Sequence, residues 1–310
     1  MASENQVKSE ILLETGTNEL EIMEFTISGN IFGINVAKIT EIMQCKSIKP
    51  MPNSHHSVEG VFMPRDKIIT VINLADYMGL PNREDRDRDI FMITSFNQIT
   101  IAFHVDTVEA IHRIKWSDIE KPDSTIYGGT EGLATGIARV GAKLITIVDF
   151  EKIIFDINAE SGLHISEITE MGERDRSEKP VIIAEDSTLL MKMLMDSLHA
   201  AGYTNVKAFQ NGQEAWDYLT GVRDEAVSLS EPIASKAAAV ITDIEMPQMD
   251  GHRLTKLIKD EQILHDVPVI IFSSLINEAM RVKGESVGAD AQLSKPEIGN
   301  LITTLDHWIL

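Results

Sequence analysis

The apolar residues of this chain change rhythm once, between residues 160 and 180, and that change constrains the fold more than any other feature. Before it, short runs rich in β-branched and aromatic residues stand between turn residues: LEIMEFTI at 20–27, then 31–36, IITVI at 68–72, 90–95, 100–105 and KLITIV at 143–148. Such runs predict strands. Helical spacing is confined to 36–44, where Ile39, Ile42 and Met43 lie three and four apart, and to 150–158. After the change, continuous apolar runs, VIIA at 181–184, AAVIT at 238–242 and VPVIIF at 267–272, alternate with amphipathic segments at 189–199, 213–219, 251–259, 278–284 and 298–308. Weaker strand signals fall at 205–209 and 291–293. Strands buried on both faces and separated by helices make a parallel sheet covered on both sides. The expected architecture is two domains of different class: a β-rich domain over 18–160 and a doubly wound α/β domain over 179–310. The polar, charged stretch 161–178 is the expected linker. The connection 221–236 is longer than α/β units usually carry, and is expected to be a mobile loop or a short extra helix.

The formal net charge of −20 over 310 residues, with no local basic patch, argues against binding to nucleic acid or anionic lipid, both of which reward Lys and Arg. One cysteine, Cys45, excludes an internal disulfide, and it has no evident basic partner to activate it. Residues 1–16 lack the basic region and apolar run of a secretory signal, and no apolar stretch nears the ~18 residues that span a membrane. A cytoplasmic location is expected.

In a doubly wound sheet, ligands bind outside the carboxyl ends of the strands, so side chains just after each apolar run converge on one pocket. Here Glu185 and Asp186 follow VIIA, Asp243 follows AAVIT, Ser273 and Ser274 follow VPVIIF, and Ser294-Lys295-Pro296 follows 291–293. Carboxylates converging there repel one another unless a cation neutralises them, and a hard-oxygen set predicts Mg²⁺. A lysine and a hydroxyl opposite supply donors for an anion. Such a set suits phosphoryl transfer to a carboxylate. Any one of these residues alone would read as a cap, a turn or a solvated side chain; the joint order points to a site.

That order, an acidic pair, DIEMPQMDG, a hydroxyl and then KP, closely resembles the response-regulator receiver domain, with its flavodoxin-like fold, across 179–310. The resemblance implies Asp243 as phosphoacceptor. It implies Mg²⁺ held by Asp186, Asp243 and the backbone carbonyl of Glu245, with Glu185 acting directly or through water. Ser273 and Lys295 would bind the phosphoryl group, and the Lys295-Pro296 bond is expected to be cis. Receivers commonly place an aromatic switch residue three positions before the lysine; this chain has Gln292. Met246-Pro247 and Asp250-Gly251 read as a turn into the next helix.

In the first half no catalytic cluster is visible. His55, His56, Asp66, Asp76 and His104 lack metal-ligand spacing, and the histidines read as solvated loop residues; REDRDRD at 83–89 reads as an exposed, self-neutralising loop. The glycines of 127–136 do not open a helix after a strand, so they do not read as a dinucleotide fingerprint. The phrases FTISGNIFGINVAKITEIM, VEGVFMPRDKIITVINLADYMGL and TGIARVGAKLITIVDFEKII resemble the CheW scaffold family of chemotaxis, which folds as two small five-stranded barrels. By that resemblance Arg65, in Pro64-Arg65-Asp66 where the family often has Leu-Arg-Gly, is a partner-interface candidate.

A CheW-like domain followed by a receiver is the arrangement of the CheV family. The resemblance implies a cytoplasmic adaptor at membrane-associated receptor arrays, joining the tips of chemoreceptors to a histidine autokinase, whose receiver accepts phosphate and adjusts the coupling. Mg²⁺ is the implied cofactor, and the protein is expected to be a signalling component and not an enzyme. Two alternatives stand beside this. One is a phosphate sink draining the kinase. The other is a Mg²⁺-dependent phosphatase of the haloacid-dehalogenase type, in which Glu245 would be the acid two residues after the nucleophile. A DNA-binding regulator is disfavoured, because the receiver comes last.

Overall fold

The computed structural model describes residues 19–86, 88–96, 99–120, 132–157 and 175–310. The leader reading of 1–16, residues 127–131 of the glycine-rich stretch and 161–174 of the expected linker lie outside them. The chain divides into two compact units, one spanning Glu19–Ala159 and the other containing the described residues from 175 onward.

The first unit contains strands β1 (Glu19–Ile27), β2 (Asn30–Asn35), β3 (Ile39–Gln44), β4 (Val58–Phe62), β5 (Ile69–Asn73), β6 (Ile90–Phe96), β7 (Ile99–Val105), β8 (Thr107–Lys115), β9 (Ile119–Glu120), β10 (Ala134–Val140) and β11 (Lys143–Val148), with helices α1 (Leu74–Met78) and α2 (Phe150–Ile157). Hydrogen bonding orders them in two sheets, β8-β1-β2-β11-β10-β9 and β3-β6-β7-β5-β4. Period-two alternation along β1 feeds two cores at once. Leu20 and Ile22 join Ile114, Ile119 and Ile145 within the first sheet, while Met23, Phe25 and Ile27 join Ile72, Phe103 and Phe150 between the sheets. Ile114 of β8 and Ile119 of β9 come from opposite ends of the sheet order yet share one cluster, so the sheet curls onto itself. The second sheet does likewise, Met43 of β3 and Phe62 of β4 meeting around Phe91. Two barrel-like β units were expected, and the difference is in strand number: the two-residue β9, paired to β10, makes the first sheet six-stranded.

The helix expected at 36–44 is absent. Val36–Lys38 make one 3₁₀ turn, and Ile39–Gln44 is β3, paired with β6 through Ile42 and Met92. The β-branched Ile39, Thr40 and Ile42 fit a pleated strand better than a helix, and pairing overrides their helical spacing.

The second unit alternates β12 (Val181–Ala184), α3 (Thr188–Ala200), β13 (Val206–Phe209), α4 (Gly212–Leu229), β14 (Ala239–Thr242), α5 (Gly251–Asp260), β15 (Val269–Ser273), α6 (Glu278–Ser286), β16 (Ala291–Ser294) and α7 (Ile298–Ile309). The sheet is parallel, in the order β13-β12-β14-β15-β16. Val181, Ile183, Ile241 and Phe272 pack under α3 and α7, whereas Ile182, Ala184 and Val240 pack under α4 and α5. Side-chain caps from Ser187, Asn211, Asp250 and Asn277 start α3 to α6. Of the two expectations for 221–236, a mobile loop or a short extra helix, neither describes it fully: α4 itself continues to Leu229 and ends on Ser230 in the left-handed region, before a 3₁₀ turn at Ile233–Ser235. Val222 and Ala226 extend the buried stripe of Ala215 and Leu219 at helical spacing, and burial of that stripe lengthens the helix.

Candidate functional site

Chain order reverses between β12 and β14: from β12 the chain crosses to β13 on one side, then returns to β14 on the other. The crevice outside the carboxyl ends of two such strands is where open α/β sheets bind ligands. Glu185 and Asp186 leave β12 there, and Asp243 leaves β14; the three carboxylates offer oxygens within 4.8 Å of one another. Lys295, one residue past β16, reaches the same point. Its Nζ lies 2.8 Å from Glu185 Oε2 and 3.5 Å from Asp243 Oδ2. Lys295 and Glu185 are each 2% exposed and Asp243 is 5% exposed, so these charges interact where water screens them little.

Local structure aims each group. Asp243 N–H donates to the Ala184 carbonyl, extending the β12–β14 ladder by one residue. Ile244 N–H donates to Asp243 Oδ1 at 2.7 Å, and Ser187 N–H donates to Glu185 Oε1 at 3.3 Å. Ser273 ends β15 opposite Ser294, fully buried, and its Oγ accepts from Leu275 N–H at 3.3 Å. Lys295 N–H donates to the Ser273 carbonyl, and the Lys295-Pro296 peptide is cis as expected. Glu245 is half-buried in the loop after β14. Asp250 caps α5, and burial pushes its carboxyl above the usual range.

Among Glu185, Asp186, Asp243 and Lys295, three carboxylates meet one lysine. That surplus of negative charge on hard oxygens fits a divalent cation of the Mg²⁺ type.

Gln292, the position without an aromatic residue, lies against α6. Its Nε2 donates to the Arg281 carbonyl at 2.9 Å, while Oε1 is buried without a hydrogen-bond partner. Its amide covers Gly284 so closely that a Cβ there would lie 2.2 Å from Oε1.

Arg65 lies in the turn between β4 and β5. Its side chain is 79% exposed and ion-pairs with Glu41 at 3.2 Å. His104, read as a solvated loop residue, is a buried residue of β7. Its Nδ1 is 2.8 Å from Glu59 Oε2 and its Nε2 3.0 Å from Asp89 Oδ2. Nor is 83–89 wholly an exposed loop, since Asp89 is buried and paired with His104, Arg83 and Arg86. Burial alone would raise the Glu59 pKa; hydrogen bonding and ion pairing with His104, with help from Arg86 and Asn73, bring it down to about 2. These charges are far apart in sequence and carried no motif, and alternation along β7 sets His104 on the face opposite Ile101, Phe103 and Val105, so the sequence pattern did not mark it as buried. Burial, with Asp89 and Glu59 nearby, pushes the Cys45 thiol up to about 12, which makes it a poor nucleophile.

Residues 21–158 match the CheW-like domain family, and residues 181–306 match the response regulator receiver domain family. Chemotaxis protein CheV3 of Helicobacter pylori is 29% identical over 290 residues, which cover 90% of this chain and 91% of that protein. Chemotaxis protein CheW of Thermotoga maritima is 28% identical over 151 residues, 49% of this chain and 98% of that protein. Sensor histidine kinase CheAY of Helicobacter pylori is 22% identical over 258 residues, 81% of this chain and 30% of that protein. The chain is a two-domain signalling protein, a CheW-like domain followed by a response regulator receiver domain. In that composition, and over nine-tenths of its length, it matches the CheV chemotaxis coupling proteins.

Proposed function

We propose that this chemotaxis coupling adaptor links chemoreceptor tips to a histidine kinase through its CheW-like domain, and that phosphorylation of Asp243 in its receiver modulates the link. The observation that carries the reading is the convergence of Glu185, Asp186, Asp243 and Lys295 at the switch point of a parallel sheet. A carboxylate oxygen of Asp243 attacks phosphorus carried on a kinase histidine. The P–O bond forms as the P–N bond breaks, and the electron pair of that bond leaves on the imidazole nitrogen, which takes a proton from solvent. Lys295, within reach of Asp243 Oδ2, neutralises charge on the transferred group, and the Ser273 hydroxyl donates to one of its oxygens. Asp186, Asp243 and the carbonyl of Glu245 would hold Mg²⁺, with Glu185 beside them, and the ion supplies charge neutralisation to the phosphoryl oxygens. The product is a signal held on the protein, so the chain acts as a phosphoaccepting component without turnover of a released metabolite.

Among the described residues no helix is long and apolar enough to cross a membrane. A place in the cytoplasm, at receptor arrays, follows from the proposed partners. The phosphatase alternative has less support, since the chain matches the receiver family over 181–306, with the acidic pair, Asp243, the hydroxyl and Lys295 all in that span. The test is labelling of the full chain by acetyl phosphate with Mg²⁺. An acid-stable, base-labile label that Asp243→Asn removes is the expected result, and labelling that persists in that variant would overturn the assignment.

A further inference from the structure

The peptide group joining Asp243 to Ile244 is held at both ends, and one holder is a residue the sequence motif does not include. Its N–H, on Ile244, donates to Asp243 Oδ1 at 2.7 Å and so fixes one oxygen of the carboxylate. Its C=O, on Asp243, accepts from the hydroxyl of Thr242 at 2.8 Å. Thr242 is the last residue of β14 and is fully buried. Gly251, the first residue of α5, packs directly against the same carbonyl. A Cβ there would stand 1.8 Å from Asp243 O and 3.0 Å from Thr242 Oγ1, so no larger residue fits. Gly251 is itself tied down, its N–H donating to the Ile244 carbonyl at 3.0 Å and its C=O accepting from Thr255 Oγ1 at 2.7 Å.

A peptide group is planar, so orienting its C=O also orients its N–H. We infer that Thr242 is a positioning residue for Asp243: its hydroxyl sets the plane of the 243–244 peptide, that plane aims the Ile244 N–H at Oδ1, and Oδ2 is thereby left facing Lys295. This inference deepens the proposed function and rests on Asp243 being the phosphoacceptor. A pocket preorganised in this way loses rate when a supporting hydrogen bond goes, even though the residue lost touches no reacting atom.

Thr242→Val keeps the shape and removes the hydroxyl, while Thr242→Ser keeps the hydroxyl and removes a methyl. Both are made in the full chain. In the unphosphorylated protein, the Ile244 amide proton is followed by NMR, since a hydrogen bond to a carboxylate shifts it downfield. It should move upfield in the valine variant and stay near its native position in the serine variant. With acetyl phosphate and Mg²⁺, the limiting rate of Asp243 labelling should fall three- to ten-fold in the valine variant, about the factor one ordinary hydrogen bond supports, and return to within about two-fold in the serine variant. An unmoved Ile244 amide in Thr242→Val would overturn the role, as would equal losses of rate in the two variants, since the hydroxyl would then not be the agent. The amide readout needs no phosphate, so absence of labelling in the native chain would refute the phosphoacceptor reading while the amide still judges Thr242.

Discussion

Replacing Gly284 by alanine should stabilise the receiver domain by about 1 kcal/mol, even though the structure has no space for the added methyl. A Cβ at 284 would lie 2.2 Å from Oε1, 2.4 Å from Cδ and 2.7 Å from Nε2 of Gln292. Those atoms are the end of a flexible side chain, so the amide must swing away. Swinging away breaks its hydrogen bond to the Arg281 carbonyl, at a cost of about 0.5–1.5 kcal/mol. That carbonyl keeps its place in the ladder of α6. The same movement releases Oε1, now buried without a hydrogen-bond partner, and its hydration recovers about 1–3 kcal/mol. Alanine adds roughly 0.8–1.0 kcal/mol over glycine within a helix. Exposure of a glutamine methylene takes back about 0.8 kcal/mol. The balance favours the variant. Hydrogen exchange of the full chain in rising urea, read on peptides from β12 and β14, measures the receiver separately from the CheW-like domain. A loss of 1 kcal/mol or more, as an order-of-magnitude threshold, would refute the reasoning, because Gln292 would then be held over Gly284 more strongly than one hydrogen bond permits.

Lys295→Met leaves Glu185 and Asp243 buried without their cation and should cost about 3–5 kcal/mol in urea denaturation without divalent ions; a loss under about 1 kcal/mol would mean that the carboxylates do not depend on it. Glu59, with its pKa lowered to about 2, contributes stability that is fully present above its unfolded value of 4.5 and is lost as pH falls through the folded value. Glu59→Gln should therefore flatten the acid limb of CheW-like domain stability between those two pH values, and an unaltered limb in a thermal melt series would contradict the ion-pair account. Arg65→Ala should leave the melting temperature within about 2 °C of native, since a single exposed ion pair contributes little. If Arg65 lies in the partner interface, the same variant should reduce co-sedimentation with receptor and kinase; undiminished capture would remove it from that interface.

Most of the receiver was legible because each of its signals is local. The apolar runs of β12 and β14 bury on both faces, and the candidate site residues stand just beyond strand ends, so a strand assignment already locates the candidate site. Glu185, Asp186, Asp243 and Lys295 meet for that reason. The long α4 was hidden by polar residues between Gly221 and Lys236, although Val222 and Ala226 kept the buried period. The CheW-like domain was less legible. Whether 36–44 coils or extends depends on pairing with β6, fifty residues on, and the helical spacing of three residues could not report that.

What the sequence determined by itself was the change of class along the chain, the parallel sheet and the placing of the candidate site residues at strand ends, since hydrophobic period and strand ends are properties of neighbouring residues. Only the tertiary structure decided which charges are paired and which polar atoms are held. His104 between Glu59 and Asp89, Gln292 over Gly284 and the Thr242 hydroxyl on the Asp243 carbonyl join residues through packing. The strength of such a contact is set by burial and by distances of a few tenths of an ångström. Spacing along the chain encodes neither.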